Sequence, residues 1–277
     1  MNRPIKTFLR NYGISLLTIL IGSILIFPII YSVCGAFKTP SEFLKPALLP
    51  ADLRYFKNFR EALETGNLLR YSWNSLIVAL FGSFFRILFA ILAAYAFVYY
   101  DFKGKNFWFF LLLGTMMIPG DILLFGNYLT ISELHLLNTY LACMVVNFTG
   151  ASQLFMLRQR FQAVPAEIRE AAQMDGWGDL EFLRRILVPL CKPVITTLFI
   201  QSFITLWNSY LWPLIVTASA PDMRTVMVGI TRLNSWEDEN YQLVLAGVSL
   251  TLIPSLIFFF ILRKNMRNTE KDGSLVG

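Results

Sequence analysis

EAAQMDGWGDLEFLRRILVP, running from Glu170 to Pro189, is a charged, water-seeking stretch set between two strongly apolar regions. Pro165 suits the first turn of a short helix, Glu167 and Glu170 favour its positive end, and Gly176 is a natural stop. A helix over about Pro165 to Asp175 is expected. A second starts at Asp179 as N-cap and carries Phe182, Leu183, Ile186 and Leu187 on one side before Pro189. Ile168, Ala171 and Ala172 would then form a small apolar face near the tip of a helix–turn–helix at a membrane surface. Small alanines let another protein approach closely, and flanking charges give that contact a register. From these features alone, a helix pair resting on lipid headgroups is the alternative.

The regions on either side make the chain a membrane protein. Of its 277 residues, 56% are hydrophobic and 15% charged, with a mean hydropathy of +0.55. That is far more apolar than a soluble core of this size needs. Apolar runs lie near 12–36, 72–100, 106–131, 138–157, 191–217 and 241–262, with a polar loop over 158–190. A run of about 20 apolar residues crosses a hydrocarbon core roughly 30 Å thick. The expectation is a single all-α, polytopic transmembrane domain over 1–277 with six transmembrane helices. The first run is too long for a cleaved signal and has no small-residue cleavage site, so it is expected to stay as a helix.

A net charge of +6 and a pI near 9.3 could suggest nucleic acid in a soluble protein. Here the basic residues cluster at the ends of apolar runs, where they act as topology signals, and no nucleic-acid partner is indicated. With both termini cytoplasmic, fifteen Lys/Arg fall inside and eight outside, which favours that orientation. Pro28, Pro119-Gly120, Pro213 and Pro254 interrupt helices within the runs.

Catalytic chemistry finds little footing. Cys34, Cys143 and Cys191 sit in or beside apolar runs without paired spacing, so neither a disulfide framework nor a metal site is indicated. His135 stands alone in a short polar loop, and no phosphate-cradling GxxxxGK[ST] loop is present. The polar residues inside the membrane are more informative. At 100° per residue, Thr197, Gln201, Thr205, Asn208 and Trp212 fall within roughly an 80° arc of one helix face. Such a stripe avoids lipid, so it either lines a translocation path or bonds to a neighbouring helix. Trp207 and Tyr210 point elsewhere on that wheel, as packing or interface residues. Arg86 lies deep in the second run, where an ionisable residue costs at least about 2.5 kcal/mol. Asp121 is a candidate partner for it; attraction of an anionic substrate is the other reading.

Glu170-Ala171-Ala172, Gly176, Ile186 and Pro189 resemble the cytoplasmic EAA motif of ABC importer permeases, with Val188 in place of the usual leucine. The resemblance to carbohydrate-uptake permeases, closest to the shorter, maltose-type partner, covers nearly the whole chain. It runs through Phe37-Lys38-Thr39, Asn74-Ser75-Leu76, Met117-Ile118-Pro119-Gly120, Leu136-Leu137-Asn138-Thr139-Tyr140, Pro165-Ala166-Glu167, Asp175-Gly176 and Trp207-Asn208-Ser209-Tyr210-Leu211-Trp212-Pro213-Leu214. The tail over 263–277 departs from the family pattern.

This resemblance implies a type I ABC importer permease with no catalytic site or cofactor of its own, ATP and Mg being bound by partner subunits. The implied partners are a second related permease, two nucleotide-binding ATPase subunits, an extracytoplasmic binding protein that delivers a sugar or oligosaccharide, and membrane lipid. Glu170, Ala171, Ala172, Asp175 and Gly176 would form the coupling helix that docks on the ATPase. Import of glycerol phosphate or another anionic carbohydrate derivative is the alternative raised by Arg86. An ion-coupled carrier or channel acting alone is a third, which would be expected to show an inverted repeat that this chain lacks.

Overall fold

The structure, a computed structural model, describes residues 3–53, 55–64, 66–233 and 240–273. Among these residues every regular element is helical. Hydrocarbon offers backbone groups no water, so apolar segments close their hydrogen bonds within themselves. α1 (Arg3–Ala36) is followed by short α2 (Pro40–Phe43) and α3 (Lys57–Glu64), then by α4 (Leu68–Tyr99). Next come α5 (Lys105–Gly114), α6 (Leu124–Glu133), α7 (Tyr140–Val145) and α8 (Ala151–Gln162). α9 (Ala166–Met174) and α10 (Asp179–Phe182) form the helix pair of the polar loop. A π turn (Leu183–Leu187) and α11 (Val188–Leu190) lead into α12 (Lys192–Trp207). α13 (Leu211–Val216), α14 (Val226–Thr231) and α15 (Tyr241–Gly273) complete the described chain.

Two helices, Ile14–Ala36 and Leu68–Tyr99, are long and apolar enough to cross a bilayer unbroken. Two bent pairs pass the same test only when joined, each as a broken span or a re-entrant loop: Lys105–Met117 with Gly120–Glu133, bent by 95°, and Asp179–Leu190 with Lys192–Trp207, bent by 80°. Tyr241–Ile257 is a shorter apolar helix. Helix length therefore does not yield six continuous spans, and the expected runs 106–131, 138–157 and 191–217 are each interrupted. Each break has a local cause. Pro119 holds Ile118 extended (φ −87°, ψ 116°), as a residue before proline must be. α7 stops after Val145, and Gly150 caps α8 in an extended conformation. Pro213 has no N–H to donate to Ser209, so α12 ends and α13 begins afresh at Leu211. Pro28 and Pro254, by contrast, lie inside unbroken helices.

The chain divides into two compact units, 1–69 with 229–253 and 70–228 with 254–277. In the first, the buried Asn58 amide donates to the Ala36 and Lys38 carbonyls, both at 2.8 Å, satisfying the end of α1. Thr39 and Glu42 form a reciprocal capping box at α2. The Phe37 ring packs on Phe56 and Phe59 at 5.3 and 4.9 Å between centroids.

In the second unit, Leu157, Phe161, Leu187 and Cys191 are fully buried in one apolar cluster, joined by Tyr95, Phe97, Phe109 and Phe182. Val78, Ile131, Ala142, Cys143 and Val216 centre another. Asn74 ties α4 to two other segments. Its amide donates to the Asp222 and Arg224 carbonyls at 2.8 Å each, and its oxygen accepts from the Tyr140 hydroxyl at 2.7 Å. Ser75 beside it accepts the Val226 N–H at 2.8 Å. Residues 134–139 form a turn in which His135 and Asn138 take left-handed φ of 55° and 62°, and Thr139 caps α7. His135 is thus a turn residue. Replacing the buried Asn74 with Ala removes three hydrogen bonds from partly buried partners, a loss on the order of 2 kcal/mol. The unfolding midpoint in detergent should fall for Asn74→Ala and stay unchanged for the neighbouring exposed Trp73→Ala.

Candidate functional site

The polar loop folds as a tight pair of short helices. Pro165 precedes α9 with φ −55° and ψ 137°, and Glu167 sits in the first turn. Gly176 ends the turn with a left-handed φ of 80°, and a Cβ there would meet no atom within 4 Å. Backbone conformation, and no shortage of space, calls for glycine at this position. The Gly176 N–H donates to the Gln173 carbonyl and the Trp177 N–H to that of Ala172, both at 3.0 Å, satisfying the end of α9.

Within the expected apolar face, the three residues part company. Ala172 is buried in the core, Ile168 is half-buried against it, and Ala171 is exposed. Ala172 therefore packs inward, which corrects its assignment to the outer face. The open surface carries Glu170, Ala171, Gln173, Asp175 and Gly176, with two apolar residues the sequence did not flag: Met174, 83% exposed, and Leu180, 73% exposed. A hollow of about 370 Å³ lies beside them, lined by Glu167, Ile168, Ala171, Ala172, Asp175, Trp177 and Ile186. On α10 and the π turn, Phe182, Leu183 and Leu187 are buried and Ile186 half-buried, the side foreseen.

Asp179 departs from its expected role. Gly178 occupies the cap position and Asp179 is the first residue of α10. Its carboxylate instead accepts the Tyr95 hydroxyl at 2.9 Å and the Tyr100 hydroxyl at 2.7 Å, one on each oxygen. The Arg169 guanidinium donates to it at 3.2 Å and lies over the Tyr99 ring at 4.9 Å. Hydrogen bonds from Tyr100 and then Tyr95 hold the Asp179 carboxyl below its ordinary value. A depressed acid stabilises the fold above the unfolded-state value and loses that contribution only as pH falls through the folded one. These bonds are fully formed at neutral pH.

A second feature lies where the helices break. The α5–α6, α7–α8 and α12–α13 interruptions all contribute to one recess of about 420 Å³. Gly120, Asp121, Asn127, Asn147, Ser209, Tyr210 and Trp212 line it. Non-helical backbone at membrane depth is tolerated where it lines a cavity. Of the expected stripe, only Trp212 reaches this recess. Asn208 is exposed at the end of α12, so the helical wheel stops before Trp212, whose indole donates to the Ala142 carbonyl at 2.9 Å. Thr197, Gln201 and Thr205 are exposed on α12, and both threonines donate back to their own helix, at 3.0 Å to Pro193 and 2.8 Å to Gln201. Trp207 is buried against Phe203, as a packing residue. Tyr210, also expected to pack, lines the recess.

Arg86 pairs with Asn147 and not with Asp121, the candidate partner. Its Nε donates to the Asn147 carbonyl at 2.7 Å and its guanidinium to the Asn147 side-chain oxygen at 3.1 Å. The pair braces the α7–α8 break and leaves the Asn147 amide nitrogen as the end available to other groups. Among the described residues, no group of three or more His, Cys, Asp or Glu could hold a metal ion. The left-handed turn gives a sharp test. Gly176→Ala should loosen it by about 1 kcal/mol and Gly176→Asn by less. The loss should appear as faster hydrogen exchange at the Trp177 amide.

The family of binding-protein-dependent transport system inner membrane components matches residues 86–269. A sn-glycerol-3-phosphate transport system permease, UgpE, of Brucella melitensis is 32% identical over 97% of this chain and 99% of its own length. An arabinooligosaccharides transport system permease, AraQ, of Halalkalibacterium halodurans is 30% identical over 94% of this chain and 93% of its own. A chain from a bacterial ABC transporter involved in the import of the acidic polysaccharide alginate superposes with a TM-score of 0.79 at 22% identity, covering 92% of this chain and 96% of that one. The fold is thus a shared one, and the chain belongs to the family of binding-protein-dependent transport system inner membrane components, as a permease subunit of an ABC importer.

Proposed function

We propose that this permease forms a heterodimer with a second, related permease, crosses the cytoplasmic membrane six times with both termini inside, and passes on a carbohydrate delivered by an extracytoplasmic binding protein. Two ATPase subunits, which bind the ATP and Mg, dock on the 158–190 loop. The observation that carries this reading is the α9–Gly176–α10 turn. Its backbone hydrogen bonds are closed within the turn, and Glu170, Ala171, Asp175, Met174 and Leu180 are exposed on it. An apolar pair rimmed by acids fits a protein cleft better than a headgroup layer, because Glu170 and Asp175 would be repelled by anionic lipid.

For the cargo, we propose a neutral sugar or oligosaccharide. Amide, hydroxyl and carboxylate groups of Asn127, Asn147, Ser209 and Asp121 suit sugar hydroxyls, and the rings of Tyr210 and Trp212 suit sugar faces. An anionic carbohydrate derivative, such as the glycerol phosphate named for the Brucella relative, remains the second reading. Asp121, itself an anion, is the one charged side chain among the described residues lining the recess, and Arg86 stands behind Asn147 and outside that lining. A carrier or channel acting alone does not fit a permease of this family.

In cells expressing the whole transport system, Glu170→Lys and Gly176→Pro should each abolish uptake while the protein remains in the membrane, and Gln173→Cys should cross-link to an ATPase subunit. Normal uptake by both variants would reject the docking role. For the cargo, a neutral arabinooligosaccharide should compete for uptake and sn-glycerol-3-phosphate should not. Stronger competition by the phosphate would overturn the neutral assignment.

A further inference from the structure

The carboxylate of Asp179 joins segments that are far apart in the chain. It sits on α10, takes Arg169 from α9, and accepts hydroxyls from Tyr95 in the last turns of α4 and from Tyr100 just beyond its end. Tyr95 is 5% exposed and Tyr100 45% exposed, so the carboxylate bridges an inner and an outer anchor. The Arg169 guanidinium also reaches the Tyr99 carbonyl at 3.4 Å. Around this network the contacts are greasy: the Tyr99 ring meets the edge of Phe182 at 5.7 Å, with Leu183 and Leu187 packed alongside. Apolar packing is non-directional and lets helices slide past one another by small amounts. Charge-assisted hydrogen bonds have fixed geometry and about twice the strength of neutral ones, so they set a register that packing does not.

α4 then runs on without a break. Arg86, nine residues before Tyr95, lies roughly 14 Å along the helix at 1.5 Å per residue. At 100° per residue it lies on the opposite face. There it holds Asn147, which lines the recess. A continuous path of bonded groups therefore leads from the polar loop, through Asp179 and Tyr95, along α4 to Arg86 and on to Asn147.

We propose that Asp179 is a positioning residue that locks the 158–190 loop to the cytoplasmic end of α4, so that the two move as one body and displacement of the loop reaches the recess through Arg86 and Asn147. This rests on the proposed docking of the ATPases on that loop. Residues of the α9 turn receive the motor, whereas Asp179 keeps what they receive from being lost as slippage between loop and span. Its neutral or shortened replacements should keep the loop folded on its apolar side while releasing the register.

The test uses the assembled complex of both permeases and the ATPases, with spin labels at Arg184→Cys on the loop and Lys103→Cys just past α4, both exposed positions. Cys34 is replaced by Ser, while Cys143 and Cys191 are buried. Inter-label distances are measured without nucleotide and with ATP plus vanadate. With Asp179 present, the distance distribution should be the same in both states. In Asp179→Ala, and in the gentler Tyr95→Phe/Tyr100→Phe pair, nucleotide should shift or broaden it, and Asp179→Glu should recover part of the wild-type behaviour. A nucleotide-dependent shift with Asp179 intact would overturn the lock, as would an unchanged distribution in both the Ala and the double Phe variants. Failure of the ATPases to co-purify with the unsubstituted chain would instead reject the docking on which the inference rests. Because the double Phe variant keeps the rings and their packing, the lock stays testable even where Asp179→Ala fails to fold.

Discussion

Backbone groups in hydrocarbon have nowhere to turn but to each other, and the rest of this structure follows from that constraint. It makes the apolar runs helical, and it makes every interruption costly unless side chains, neighbouring backbone or a cavity absorb the freed groups. The interruptions at 118–119, 146–150 and 208–210 all contribute to a single polar recess. Arg86 meets the middle one directly, donating to the carbonyl and side-chain oxygen of Asn147. Its partner is therefore a neutral amide residue, and the guanidinium keeps its charge. The recess is left with the carboxylate of Asp121 and a set of neutral donors and acceptors.

Local features were the ones legible in the sequence. Gly176 stops α9 at a left-handed φ because only a residue without a Cβ takes that conformation freely, and the surrounding proline and acids mark the same helix from its other end. The buried side of Phe182, Leu183 and Leu187 follows from helical spacing. The helical wheel over 197–212 failed at its far end for an equally physical reason. It assumed one helix, whereas Pro213 forces α12 to stop and a new helix to start, which rotates Trp212 out of the stripe and into the recess. The break between α7 and α8 carried no proline and only a glycine and an asparagine as signals, too little to cut an apolar run by composition.

Long-range pairings were beyond reach. Asp179 reads as a helix cap because Asp before a periodic run ordinarily is one. Its partners Tyr95 and Tyr100 stand some 80 residues away in sequence. The run of three tyrosines at 95, 99 and 100 beside a loop rich in arginine was the available hint, since hydroxyls at a membrane boundary need acceptors. Asn74 is similar: its three bonds explain why an asparagine sits in the second turn of α4, yet none of its partners is near it in sequence.

Under the proposed coupling, the loop, α4 and the recess act in sequence, each joint being a named polar contact on an apolar frame. Its central element is the turn at Gly176, the place where an ATP-driven partner is proposed to press. The most direct measurement is a structure of the assembled transporter at side-chain resolution. Docking requires the turn over 174–177 to be seated in a cleft of an ATPase subunit, with Met174 and Ala171 covered. A turn standing free in solvent or sunk among lipid headgroups, with no ATPase against it, would contradict it.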